Sequence, residues 1–162
     1  RKRQLALAEQ EGITSFPTPA GGCLLTDPNY ARRIKYVLTT GKLNSNEAEL
    51  LKVGRHFHLD HEAHLVIGRN QGENAHIEAL ATPGDVLLQA QDYAGPVGLL
   101  RGLTSEAQIR RAAAFLLRYS DAPPGGSTAV RFWRHPSTQA RPLQARPLDP
   151  EQVLQARIEE YR

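Results

Sequence analysis

The chain has 162 residues, of which 40% are hydrophobic and 23% charged, so it can bury a core and is not a disordered polymer. A formal net charge of +3 and a pI of about 9.2 suit a polyanionic partner without requiring one. The single cysteine, Cys23, excludes an internal disulfide, and no apolar run reaches the roughly 18 residues that a membrane-spanning helix needs.

In chain order, residues 1–11 read as the end of a helix, and 15–28 (SFPTPAGGCLLTDP) as a loop rich in proline and glycine. Asp27-Pro28 is a helix start, an acidic N-cap followed by proline at the first helical position. That helix is expected to run to about Thr40 and stop at Gly41, with Ala31, Ile34, Val37 and Leu38 as its apolar face. A short helix over 45–52, capped by Ser45, follows. From Gly54 the period changes: RHFHLD and HLVIGR read as a hairpin turning at His61-Glu62. Residues 70–81 read as a helix stopped by Pro83-Gly84. DVLLQAQD and PVGLLRG form a second hairpin around Tyr93-Ala94-Gly95, and Thr104 or Ser105 caps a helix reaching Tyr119. After the loop 121–127 come a strand (TAVRFWRH), a proline-rich stretch from Arg141 and a helix from about Pro150. Helices first, then antiparallel hairpins mixed with helices, predict an α+β fold: an N-terminal helical segment followed by a small antiparallel-sheet domain with packed helices.

The chain contains no methionine and begins with Arg1, as expected of a piece of a longer protein. No secretory leader is visible, and a reducing cytoplasm is the expected location. Of the 20 basic residues only Lys2, Lys35, Lys42 and Lys52 are lysines. Arginine is the better phosphate fork and stacks on bases, although a GC-rich genome gives the same bias.

Two stretches invite chemistry. HFHLDH, residues 56–61, fits H-x-H-x-D-H and resembles the zinc motif of metallo-β-lactamase-fold hydrolases. Alternate strand residues share a face, so His56 and His58 could aim at one ion that Asp60 and His61 complete. The later histidines His64, His76 and His135 lie in no ligand motif, and a short helix precedes the stretch instead of a long apolar strand. The expectation is therefore no metal and a strand face beside solvent or RNA, with a metal-dependent hydrolase as the alternative. VIGRNQGEN, residues 66–74, delivers Gly68-Arg69-Asn70 to a helix start. Free N–H groups there attract phosphate, Arg69 offers a fork, and Asn70 can cap the helix or read a base edge.

The run 64–102 carries Gly68-Arg69-Asn70, Asn74 on the following helix, Pro83-Gly84-Asp85, and the turn Asp92-Tyr93-Ala94-Gly95-Pro96. With these it resembles the NFACT-type RNA-binding domain; Val97-Gly98 departs from the polar residue expected after the turn. RKRQLALAEQEGI, FPTPAGGCLLTDPNYARRI and LLKVGRHFHL look like the C-terminal part of thiouridylase-like proteins with a PP-loop ATPase. This second resemblance covers about residues 1–120. It implies a role in tRNA thiolation, with residues 1–53 continuing a missing N-terminal ATPase domain and 54–162 forming the RNA-binding domain. ATP and magnesium are then expected in the missing part, since the S-G-G-x-D-S nucleotide loop is not in this chain, and no cofactor is expected in the fragment itself. A sulfur-donor protein is an implied partner besides tRNA or other RNA, and no membrane partner is implied. Cys23, in a glycine-rich loop before a helix start, becomes a candidate sulfur carrier; its bland reading is a small buried thiol.

Arg32, Arg33, Lys35, Lys52, Arg55, Arg69, Asn70, Asn74 and Arg101 are the expected RNA-binding residues, with Tyr30, Tyr36 and Phe57 as candidate stacking platforms. Arg110, Arg111 and Arg118 read as the solvated face of their helix. The expected function is RNA binding, tRNA above all, by a non-catalytic module of a tRNA-thiolation enzyme; a protein-interaction domain is the third reading.

Overall fold

A computed structural model of the chain describes residues 24–41, 43–60 and 62–158. The expected helix over 1–11, most of the following loop, Cys23, Lys42 and His61 lie outside them. After one turn of 3-10 helix (Leu24–Thr26), helix α1 spans Pro28–Thr40. Its ends are built as the residue types require. The Asp27 carboxylate accepts from Asn29 N at 2.8 Å and Tyr30 N at 2.9 Å, Pro28 occupies the first turn, and Gly41 closes the helix at φ +66°. The buried face is Tyr30 and Val37 with Ile34 beside them, packed on Leu51. Leu38, expected on that face, is 58% exposed. Helix α2 is Ser45–Leu50, and Asn44, not Ser45, is its cap: the backbone at Asn44 is extended and its side chain accepts from Glu47 N at 2.9 Å.

Strands β1 (Arg55–Asp60) and β2 (Ala63–Ile67), helix α3 (Gln71–Ala79), strands β3 (Val86–Ala90) and β4 (Val97–Gly102), helix α4 (Glu106–Leu117), strands β5 (Thr128–Arg134) and β6 (Arg141–Ala145) and helix α5 (Pro150–Ala156) complete the described chain. The six strands form one sheet in the order β1-β2-β4-β3-β5-β6, each neighbouring pair antiparallel. The α+β expectation therefore holds. The stretch from Arg141, read from the sequence only as proline-rich, supplies β6. Pro142 cannot donate to a ladder, so this strand is tolerated at the sheet edge, where only β5 pairs with it. At the other edge Ile158 N donates to His56 O at 3.0 Å, so the residues after α5 cover β1.

Period-2 alternation distributes the core. Phe57, Leu59, Leu65, Ile67, Val86, Leu88 and Leu100 face α4 and α5. Val66, Leu87, Val97 and Leu99 face the other way, against Leu50 of α2 and Ile77 of α3. Because both faces are covered, β2 and most of β4 are buried at successive residues rather than at alternate ones, with His64 the polar residue among those of β2. On the α2 side a polar cluster replaces part of this core. Arg101 of β4 donates to Asp85 at 2.7 Å, to Glu47 at 2.6 Å, to Asn46 at 3.0 Å and to Leu80 O at 3.0 Å. Burial alone would raise the Glu47 carboxyl, but hydrogen bonds from His64 and Arg101 outweigh it and hold it below its ordinary value. Arg101 is held above its own ordinary value: burial opposes the charge, and Asp85 and Glu47 overcome that.

Of HFHLDH, the described residues 56–60 lie in β1. His56 and His58 do share a face, but only His58 reaches solvent. His56 is fully buried, its Nε2 donating to Val53 O at 2.7 Å, which leaves Nδ1, 3.0 Å from His64 Nε2, as an acceptor. Among the described residues no three His, Cys, Asp or Glu side chains form a group that could hold a metal ion. Burial, reinforced by His64 and Arg33, pushes the His56 pKa well below its ordinary value. The sign for stability follows. The folded state binds fewer protons than the unfolded chain once pH drops below the unfolded value of about 6.5, so stability falls with falling pH there. The melting temperature is expected to drop between about pH 7 and pH 5, and His56→Asn is expected to flatten that drop. A curve of the same shape in the variant would remove His56 as the cause.

Candidate nucleic-acid interface

At one end of the sheet β1 begins, β2 and β3 end and β4 begins. The turns there enclose a groove of 560 Å³ whose walls include Arg55, Arg69, Asn70, Asn74, Tyr93 and Tyr119. The turn before α3 is its first wall. Gly68 N donates to Val97 O at 3.1 Å, and Arg55 donates to Gly68 O at 3.2 Å. Asn70 caps α3 by accepting from Glu73 N at 2.9 Å. The Glu73 carboxylate reaches back past the cap to accept from Arg69 N at 2.8 Å and Gly54 N at 3.2 Å, holding the turn against the start of β1. Asn74, one turn on, accepts from Val97 N at 3.1 Å, tying the helix to β4.

This arrangement explains Gly68. A Cβ there would lie 2.0 Å from Asn74 Oδ1, so any side chain displaces the Asn74 carboxamide from its hydrogen bond. Gly68→Ala is expected to cost about 1–3 kcal/mol by urea unfolding. In an Asn74→Ala background most of that cost should vanish, and an unchanged cost would show that the clash lies elsewhere.

The opposite wall is the turn 93–96, fastened to the end of α4 by Asp121 N donating to Ala94 O at 2.9 Å. Gly95 approaches so closely that a Cβ would lie 2.7 Å from that of Ser120. Tyr93 stands at this rim, 40% exposed. Tyr119 lies between the walls with the Arg55 guanidinium 4.5 Å from its ring centroid. Gln71 and Gln89 add amides, and Asp121 adds one carboxylate. Arg69 is 38% exposed at the side chain and 3.4 Å from Glu73 Oε1. Two arginines against Asp121, with Glu73 beneath Arg69, make a modestly cationic groove. Its walls are mainly aromatic and amide surface, which suits bases and their edges as much as phosphates.

Of the nine expected RNA-binding residues, Arg55, Arg69, Asn70 and Asn74 come together here. Lys35 and Lys52 are exposed and Arg32 half-buried, all outside the groove, and Lys52 pairs with Glu49 at 2.6 Å. Two expectations give way to structural roles. Arg33 is 5% exposed and donates to Leu51 O at 2.7 Å, its pKa lowered to about 10 by burial and the nearby Arg69. Arg101 is enclosed by the carboxylates of Asp85 and Glu47. The stacking candidates also change. Phe57 is buried against Phe115, Tyr30 is buried with its hydroxyl 3.4 Å from Ala48 O, and Tyr36 packs on His58 and His64. The aromatics at the groove are Tyr93 and Tyr119. The first lies inside the Asp92–Pro96 turn motif and was open to recognition there; the second follows α4 with no local signal.

The pattern of the family described as "NFACT protein RNA binding domain" matches residues 54–157. Among solved structures, the C-terminal part of the fibronectin/fibrinogen-binding protein from Streptococcus suis is similar, with a TM-score of 0.57 at 16% identity over 83% of this chain. The match spans 64% of that structure, and likeness at this identity concerns the fold. No curated protein matches the chain.

Proposed function

We infer that this chain, which belongs to the NFACT protein RNA-binding domain family, binds RNA by taking unpaired nucleotides into the groove between residues 68–74 and 93–96. The carrying observation is the convergence of Arg55, Arg69, four side-chain amides and two tyrosines on one 560 Å³ depression. Arginine neutralises phosphate, the tyrosines offer faces on which bases stack, and the amides pair with base edges. A duplex presents no free base face, so single-stranded RNA is the better ligand. Fluorescence anisotropy with labelled single-stranded and fully paired RNA of equal length tests this. Single strands should bind more tightly, with log K falling against log salt by about 0.7 for each phosphate neutralised. Equal binding of both forms, or none at low salt, would overturn the reading.

A narrower reading makes the RNA a tRNA and the parent a cytoplasmic thiolating enzyme. ATP and magnesium would then act in a preceding PP-loop domain continuing into residues 1–53, with a sulfur-donor protein as partner and Cys23 as carrier. The three N-terminal segments that resemble thiouridylase-like proteins support it. Loss of thiolated uridine from the tRNA of a deletion strain is the expected result, and unchanged thiolation would remove this reading.

A further inference from the structure

Strand β4 runs from the groove to a second depression at the opposite end of the sheet. Six residues at about 3.3 Å each separate the two by roughly 20 Å. This cavity, of 390 Å³, is lined in part by Thr104, Glu106, Arg110, Phe132, Arg134 and Arg141. Phe132 and Arg134 alternate on β5, and Arg141 pairs with Phe132 across β6, so all three share a face. The Arg141 guanidinium lies 5.5 Å from the Phe132 ring centroid. Arg134 donates to Gly84 O at 3.0 Å and to Thr104 Oγ1 at 2.6 Å, contacts that fix the fork without neutralising it. No carboxylate pairs with Arg134 or Arg141 among the described residues. Arg110 pairs with Glu106 at 2.8 Å, but side-chain exposures of 58% and 80% leave that pair weak and easily opened. Three guanidinium groups thus face one carboxylate around an aromatic ring.

We propose that this cavity is a second RNA contact, which holds backbone phosphates of the same strand whose unpaired bases enter the groove. The proposal rests on the RNA-binding reading and adds a second site to it. Arginine forks match phosphate oxygens in pairs, and Phe132 offers a face to a sugar or base. Neither Arg110 nor Arg141 lines the groove, so Arg110→Glu/Arg141→Glu separates the two sites.

Two single-stranded RNAs are compared by anisotropy, one only long enough to fill the groove and one long enough to reach both sites. The variant should bind the short RNA as the wild type does. It should bind the long RNA at least about 10-fold more weakly, with a salt slope shallower by about 1 to 2. Wild-type affinity and slope for the long RNA would overturn the second site and leave the groove standing. If the wild type binds neither RNA at low salt, the groove reading fails and the second site with it. Inorganic phosphate at matched ionic strength is the control. It should displace the long RNA from the wild type more than chloride does, because it competes for the same arginine forks, and an equal excess in Arg110→Glu/Arg141→Glu would place that competition outside the cavity and overturn the proposal.

Discussion

Arg55→Ala/Arg69→Ala is expected to weaken single-stranded RNA binding by about 100-fold at low salt and to flatten its salt dependence by about 1 in slope. The two arginines contribute differently. Arg69 sits at the exposed rim, its backbone and side chain both held by Glu73. Arg55 lies deeper, over Tyr119 and bonded to the Gly68 carbonyl, so its removal also loosens the floor and the turn. The single variants should therefore differ: Arg69→Ala changes chiefly the salt slope, whereas Arg55→Ala also lowers the melting temperature. A double variant that stays folded and binds RNA with wild-type slope would show that phosphates do not meet these arginines.

The largest effect on stability is expected from Arg101→Met, about 3–5 kcal/mol by urea unfolding. Asp85 and Glu47 are almost wholly buried, and Arg101 is the cation both share. Its loss strands two carboxylates away from water, a far larger penalty than the net value of the ion pairs themselves. Arg101→Lys should recover little, because an ammonium cannot reproduce the fork that meets Asp85, Glu47 and Leu80 O together. Where Arg101→Met remains folded, its RNA affinity and salt slope should equal those of the wild type. A selective loss of RNA binding without loss of stability would return Arg101 to the interface.

Local signals in the sequence were reliable where one residue does one job. Asp27-Pro28 and Gly41 bound a helix because an acidic cap, a proline and a left-handed glycine have few other uses. Asn70 before Gln71 did the same for α3, and both hairpins lie where their turns predict. What stayed hidden depends on partners distant in the chain. The pairing of β2 with β4 joins strands 30 or more residues apart along much of their length, and β6 was obscured by a proline that only an edge strand tolerates. The arginines show the same limit. Arg33 and Arg101 look like Arg55 and Arg69 in the sequence, and only tertiary placement makes the first pair structural. His56 likewise resembles a ligand until His64, eight residues later, is seen to supply its partner. The groove was half legible: Gly68-Arg69-Asn70, Asn74 and the Asp92–Pro96 turn stood out as motifs, but their meeting across β4 did not.

The most direct test of the groove is photo-crosslinking of the chain to single-stranded RNA carrying 4-thiouridine, with the adducts located by mass spectrometry. Adducts on Tyr93 or Tyr119 are the expected result, since these two rings line the groove that the unpaired bases would enter. Adducts confined to α1 and α2, with none on either tyrosine, would place the RNA on another surface and contradict the account.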